Sequence, residues 1–171
     1  MTMSSPVLDA IYKRRSIREY TNEDVGTDLL HEIIQAGIWA PSGLNNQPWR
    51  FVIIKNQQIR DQLAGQTHYG HIVKAAPALI AVYLDPEAMY NEVKDHQAAG
   101  ACIENILLAA ESLGLGAVWL GQILQNKLEV NTILGLPEDL DLMAVLAIGH
   151  PTHHDQKSLR KPLTDFILKE L

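Results

Sequence analysis

Apolar residues recur along this chain at two spacings, and the spacings divide it into helices and strands. Ser5-Pro6 reads as an N-cap and a first helical position, where proline's missing N–H costs nothing. Val7, Leu8, Ile11 and Tyr12 then repeat at helical spacing, and the basic stretch 14–18 follows the helix end. Thr27 is placed to cap a second helix with Leu30, Ile33, Ile34, Gly37 and Ile38 on one face. Residues 50–55, 78–84 and 142–148 are β-rich apolar runs, with a shorter one at 117–120. The run 142–148 is continuously apolar and reads as a central strand, and 50–55 reads as a buried one. Asn56 caps a helix that ends at Gly65, Asp85-Pro86 starts a helical turn, and 125–134 is a helix closed by Gly135 with Pro137 beyond it. Residues 66–74, with His68, Tyr69, Gly70 and His71, have no clear period and read as a mobile flap near a site.

The longest helix, 95–113, is apolar on nearly every face and is therefore buried on most sides. The centre of a monomer and an oligomer interface account for that pattern equally well. The small run Ala98-Ala99-Gly100-Ala101 would let a second backbone come close. Beyond Pro151 the chain is polar and irregular, and 162–171 is a tail.

Composition narrows the function. A chain of 171 residues, 47% apolar, forms one domain with a real core. Its net charge of −6 argues against a general nucleic-acid binder. Yet Lys13, Arg14, Arg15 and Arg18 crowd one segment, and Lys157, Arg160 and Lys161 crowd another. Such clusters suit a small anionic ligand, unless they are solvated surface charges. The single cysteine, Cys102, sits in an apolar run as a buried thiol. With no signal-like start and no apolar run of membrane length, the expected setting is cytoplasmic.

Protein-borne chemistry is hard to assemble. His153-His154 and His68/His71 lack a metal-ligand spacing, Gly114-x-Gly116 lacks a third glycine, and there is neither a Walker A motif nor a nucleophile elbow. No catalytic side chain and no metal site are expected; a bound cofactor would carry the reaction. The stretch Ala40-Pro41-Ser42-Gly43-Leu44-Asn45-Asn46-Gln47-Pro48-Trp49 offers donors, acceptors and two apolar residues on a proline-stiffened loop. It suits a flat, hydrogen-bonding, partly apolar ligand.

Together with Lys13-Arg14-Arg15-Ser16-Ile17-Arg18-Glu19-Tyr20, that stretch resembles two hallmark segments of the nitroreductase family of flavin enzymes. Residues 113–121 (Leu-Gly-Leu-Gly-Ala-Val-Trp-Leu-Gly) and Ile148-Gly149-His150-Pro151 followed by Arg160-Lys161-Pro162-Leu163 extend the resemblance over nearly the whole chain. It implies an α+β fold, a three-layer α/β/α sandwich with a mixed, mostly antiparallel sheet. It also implies an intertwined homodimer in which the tail, about 160–171 of a single 1–171 domain, reaches the partner. The implied cofactor is FMN, with NADH or NADPH as donor. A small electron-poor acceptor such as a nitroaromatic or quinone would be reduced by a ping-pong mechanism, with no nucleic acid or membrane involved. By the same resemblance Arg14, Arg15, Ser16 and Arg18 contact the phosphate, ribityl and pyrimidine side. Pro41, Ser42, Gly43, Leu44 and Asn45 of the other subunit cover the ring, Leu120 and Gly121 lie beside flavin N5, and Arg160 reaches the phosphate. The motif Lys157-Ser158-Leu159-Arg160-Lys161 leaves open which basic residue of the tail does so. The same motifs would also serve a flavin-binding sensor or carrier with negligible turnover, and a flavin-free interaction protein is the third reading.

Overall fold

The computed structural model describes residues 5–171; the polar start, residues 1–4, lies outside them. Four strands form one sheet in the order β1-β2-β4-β3: β1 Trp49–Ile54, β2 Ala78–Leu84, β3 Gly116–Leu120 and β4 Asp141–Gly149. All three pairings between strands are antiparallel. A single isolated parallel bridge, from Ser16 to Ala117, lies beside β3. The helices are α1 Pro6–Lys13, α2 Thr27–Ile38, α3 Gln57–Ala64, α4 Gly70–Ala75, α5 Glu92–Ser112 and α6 Lys127–Leu134.

Side chains alternate across a strand, and here the alternation separates two cores. Ala78, Ile80 and Val82 of β2, with Ala144, Leu146 and Ile148 of β4, pack in one cluster with Leu30 and Ile33 of α2 and Ile103 and Ile106 of α5. The alternate residues Leu79, Ala81, Tyr83, Val145 and Ala147 pack with Leu63 of α3, Ile72 and Val73 of α4 and Val130 of α6. The result is the three-layer α/β/α sandwich that the motifs imply. Being covered on both faces, β2 and the 142–148 stretch of β4 must be apolar, which is why both read as unbroken apolar runs. Cys102 is fully buried in the α2/α5 layer, and burial pushes its thiol up to about 12, so it stays protonated.

Local signals placed most boundaries. Asn56 Oδ1 accepts the Ile59 N–H at 3.1 Å and Gly65 ends α3. At the far end of α6, Gly135 takes the left-handed conformation. Thr27 is the first residue of α2 rather than its cap, and a 3-10 turn, Gln122–Asn126, precedes α6.

Three further expectations are corrected. The strand at 50–55 is β1, at the sheet edge, and Arg50 is exposed on it. The stretch 66–74 is no flap, because residues 70–75 form α4, anchored by the fully buried Ile72 and Val73. Thr67 Oγ1 and the His68 N–H also both donate to Gln122 Oε1, at 2.7 and 2.8 Å. Finally, α5 begins at Glu92, because Asn91 caps it by accepting the Lys94 N–H at 3.1 Å.

One side of α5 is accounted for by the chain's own core, and the other side lies open. Its inner stripe, from Asp95 through Cys102 to Ala110, is buried in the chain's own core. Its outer side, with Leu108 and Ala109, lines an open apolar groove with Pro6, Val7 and Trp39. Val7 is 65% exposed and Trp39 80% exposed. Among the described residues no helix is long and apolar enough to cross a membrane.

Candidate functional site

After α1 the chain runs along the outer edge of β3. The Ile17 N–H donates to the Ala117 carbonyl at 3.0 Å, and the buried Tyr20 hydroxyl donates to the Ile17 carbonyl at 2.6 Å with the Ala147 carbonyl 3.1 Å away. Gly116 permits this approach: a Cβ there would stand 2.6 Å from Ile17 Cγ2. Ile17 and Tyr20 thus anchor the segment inward while Arg14, Arg15, Ser16 and Arg18 line a surface cavity of about 490 Å³. Gln156, Lys157, Ser158 and Arg160 form its other wall. The chain returns there because Tyr20 bridges Pro151 and the Thr152 N–H donates to the Glu19 carbonyl.

Five cationic side chains therefore surround one cavity whose lining contains no carboxylate. Their roles differ. Arg15 turns back to donate through Nη1 to the carbonyls of Tyr12, at 2.7 Å, and Arg14, at 2.8 Å, satisfying the end of α1. Arg14 Nε lies 3.3 Å from Glu104 Oε1 on α5, an ion pair out of hydrogen-bond alignment. Arg18 donates to the Ser16 carbonyl at 3.2 Å, and Arg160 to Ser158 Oγ and the Leu159 carbonyl. Lys157 is in the lining and Lys161 is not.

Ahead of that second wall in the chain, His153 is also tied electrostatically. His153 Nδ1 is 2.5 Å from Asp155 Oδ1 and its Nε2 is 3.4 Å from Glu19 Oε2. Hydrogen bonds to Asp155 and Glu19 raise its pKa above the usual histidine value.

The other expected residues lie apart from this cavity within one chain. The loop holding Pro41, Ser42, Gly43, Leu44 and Asn45 contains a 3-10 turn, Gly43–Asn45, and projects outward: Leu44 is 86% exposed. Leu44, Asn45 and Gln47 all have left-handed backbones, with φ of 54, 57 and 48°. Ser42 Oγ accepts the Gln47 N–H at 3.1 Å. Leu120 ends β3 with its side chain buried, and Gly121 is exposed, with no atom beyond its two chain neighbours within 4 Å of where its Cβ would stand. Among the described residues no group of three or more His, Cys, Asp or Glu side chains could hold a metal ion.

Several residues of the site escaped sequence reasoning. Gln156 and Ser158 carry no signal of their own. Glu104 did carry one, a charge inside an otherwise apolar helix stretch. Asp95 looks like an ordinary acidic residue of a helix's first turn, yet it is fully buried.

Comparison with known proteins gives this architecture a family. The profile described as "Nitroreductase family" matches residues 11–68 and 64–150. An NADH dehydrogenase of Thermus thermophilus is 32% identical over 210 aligned positions, covering 98% of this chain and 99% of the relative. The crystal structure of a presumed nitroreductase from Desulfovibrio desulfuricans, in complex with FMN, is 51% identical and superposes with a TM-score of 0.94 over 99% of both chains. The NADPH:FMN oxidoreductase of Vibrio harveyi, solved with NAD+, is 25% identical with a TM-score of 0.89, covering 98% of this chain and 77% of that one. The match to the family profile over most of the length, and that of full-length relatives above 30% identity, establish that this chain belongs to the nitroreductase family.

Proposed function

We propose that the protein is an FMN-dependent oxidoreductase that passes electrons from NADH or NADPH to a small electron-poor acceptor, such as a nitroaromatic or a quinone. The observation that carries this reading is the cavity walled by Arg14, Arg15, Arg18, Lys157 and Arg160 without an acidic neighbour in its lining. A dianionic phosphate suits it, since guanidinium groups hold phosphate oxygens by paired, charge-assisted hydrogen bonds. Arg14, Arg18, Lys157 and Arg160 would hold the phosphate and ribityl chain, with Ser16 beside them, and Arg15 would add charge while capping α1. When bound, FMN would supply the hydride chemistry between the nicotinamide donor and the acceptor.

The remaining residues find their place in a homodimer. Pro41–Asn45 and the ring-side pair Leu120-Gly121 would meet across the subunit boundary, the loop of one chain covering the flavin held by the other. Supporting this, the loop lies outside the chain's own cationic cavity, and an apolar groove with an 80%-exposed Trp39 awaits a cover. The tail agrees: Leu163, Phe166, Ile167, Leu168 and Leu171 are exposed on their own chain, as expected of a segment that reaches the partner. At Gly121 the missing side chain leaves room for the ring to approach the backbone N–H. One site used in turn by donor and acceptor would give ping-pong kinetics, and a cytoplasmic setting would supply the reduced nicotinamide.

The test starts with colour. The purified protein should carry FMN absorbance that NADH or NADPH bleaches rapidly and that a quinone or nitroaromatic restores, with parallel double-reciprocal plots. Bound flavin that does not turn over would instead make it a sensor or carrier, and a colourless protein that takes up no FMN would refute the flavin reading.

A further inference from the structure

Asp95 is the one completely buried carboxylate among the described residues, and the cationic cavity does not use it. A buried charge persists only when paired or hydrogen-bonded. Oδ2 of Asp95 accepts the backbone N–H groups of Tyr90 and Asn91, each at 2.9 Å, which fixes the start of α5. Its other oxygen, Oδ1, accepts Asn46 Nδ2 at 2.8 Å, from a loop 49 residues away in sequence. The same amide donates to the Ala88 carbonyl at 2.9 Å, so both of its hydrogens are committed and its orientation is set. Burial alone would raise the Asp95 pKa; the bonds from Asn91, Asn46 and Tyr90, with His96 nearby, outweigh it and hold the carboxyl below its ordinary value.

Asn46 lies inside the loop with three left-handed, non-glycine residues, and such conformations persist only where the surroundings over-determine them. Tyr90 supplies a second restraint. Its ring occupies the space beside Gly43, so that a Cβ there would stand 2.1 Å from Tyr90 Oη. Leu44 and Asn45 are thereby held outward and exposed.

We infer that Asp95, acting through Asn46, is a positioning residue that holds loop 42–47 in the shape needed to cover the flavin of the partner subunit. The inference rests on the proposed flavin function. It adds a coupling, because the same helix carries Glu104, the partner of Arg14. Nine residues, roughly 14 Å of helix, separate the group that fixes the loop from the group that pairs with Arg14, a cation proposed to hold the phosphate. In this arrangement α5 sets both the chain's own half-site and its contribution to the neighbour's.

Asn46→Ala and Asp95→Asn in the full-length protein test this. Four properties are read: apoprotein melting, hydrogen exchange of residues 42–47, FMN affinity by fluorescence titration, and visible circular dichroism of bound flavin. Asn46→Ala leaves the Tyr90 and Asn91 bonds intact and should fold, with faster loop exchange, FMN bound about tenfold more weakly and an altered flavin dichroism. Asp95→Asn should act in the same direction, and the losses of the double variant should fall short of the sum of the singles. If Asp95→Asn does not fold, Asn46→Ala carries the test by itself. A merely structural role would lower melting yet leave the affinity and dichroism of the folded protein unchanged, and that result overturns the inference. Unchanged loop exchange in Asn46→Ala overturns it too. A wild-type protein that takes up no FMN overturns the flavin reading and this role with it, whereas wild-type uptake with unaffected variants overturns this role alone.

Discussion

Replacing Arg14 with alanine should weaken FMN binding by roughly 10- to 150-fold while leaving the fold in place. Among the described residues, the Arg14 guanidinium makes one ion pair, with Glu104, whose side chain is 47% exposed. Pairs so open to solvent contribute about 0.2–1 kcal/mol. Toward a phosphate the same group would make a hydrogen bond between charged partners, worth about 1.5–3 kcal/mol, which sets the predicted range. The Arg14 side chain is only 19% exposed, so its field is less screened than that of a free surface arginine. Binding would not vanish, because Arg18, Lys157 and Arg160 remain around the cavity. Glu104, left unpaired beside Arg15, Ser158 and Arg160, would push in the same unfavourable direction. The assay is fluorescence titration of apoprotein with FMN at fixed salt, alongside thermal melts. Lys157→Ala should lose affinity as well, and Lys161→Ala, outside the cavity, should stay within about twofold of wild type, less than ~0.5 kcal/mol. Wild-type affinity in Arg14→Ala, or an equal loss in Lys161→Ala, would refute the assignment.

Gly121→Val should fold, since no atom beyond the two chain neighbours stands within 4 Å of the new Cβ, but should hold FMN poorly or be reduced slowly; unchanged flavin content and stopped-flow reduction rates would remove Gly121 from the site. Trp39→Glu should place a charge in the apolar groove and yield a flavin-poor monomer in sedimentation at micromolar concentration; a flavin-replete dimer would show that the groove is not the subunit contact. The His153 ion pairs should be fully formed below about pH 6.5, the ordinary histidine value, and be lost as pH rises through the raised folded value. An NMR titration should therefore place its midpoint above that value in the wild type and lower in Asp155→Asn, and equal midpoints would contradict the pairing.

What the sequence determined by itself is what depends on near neighbours. The Asn56 cap, the Gly65 and Gly135 stops and the unbroken apolar runs of β2 and β4 act within a few residues or state burial directly. The motifs around Arg14, Pro41 and Gly121 were legible for the same reason, as short stretches of fixed spacing. Only the tertiary structure decided the rest. Six-residue α4 is too short to show a helical period or to stand alone, and it exists because Ile72 and Val73 find the core. Whether β1 lies inside the sheet or at its edge depends on pairing partners rather than on its own composition. Lys157 and Lys161 are equivalent as residues, and the path of the chain after the Tyr20–Pro151 bridge brings one of them to the cavity. Asp95 is the plainest case. Its helix position suggests a solvated acid favoured by the macrodipole, yet the packing of a loop 49 residues away encloses it. A buried carboxylate must be matched by donors, and no local pattern shows which distant residue will supply them.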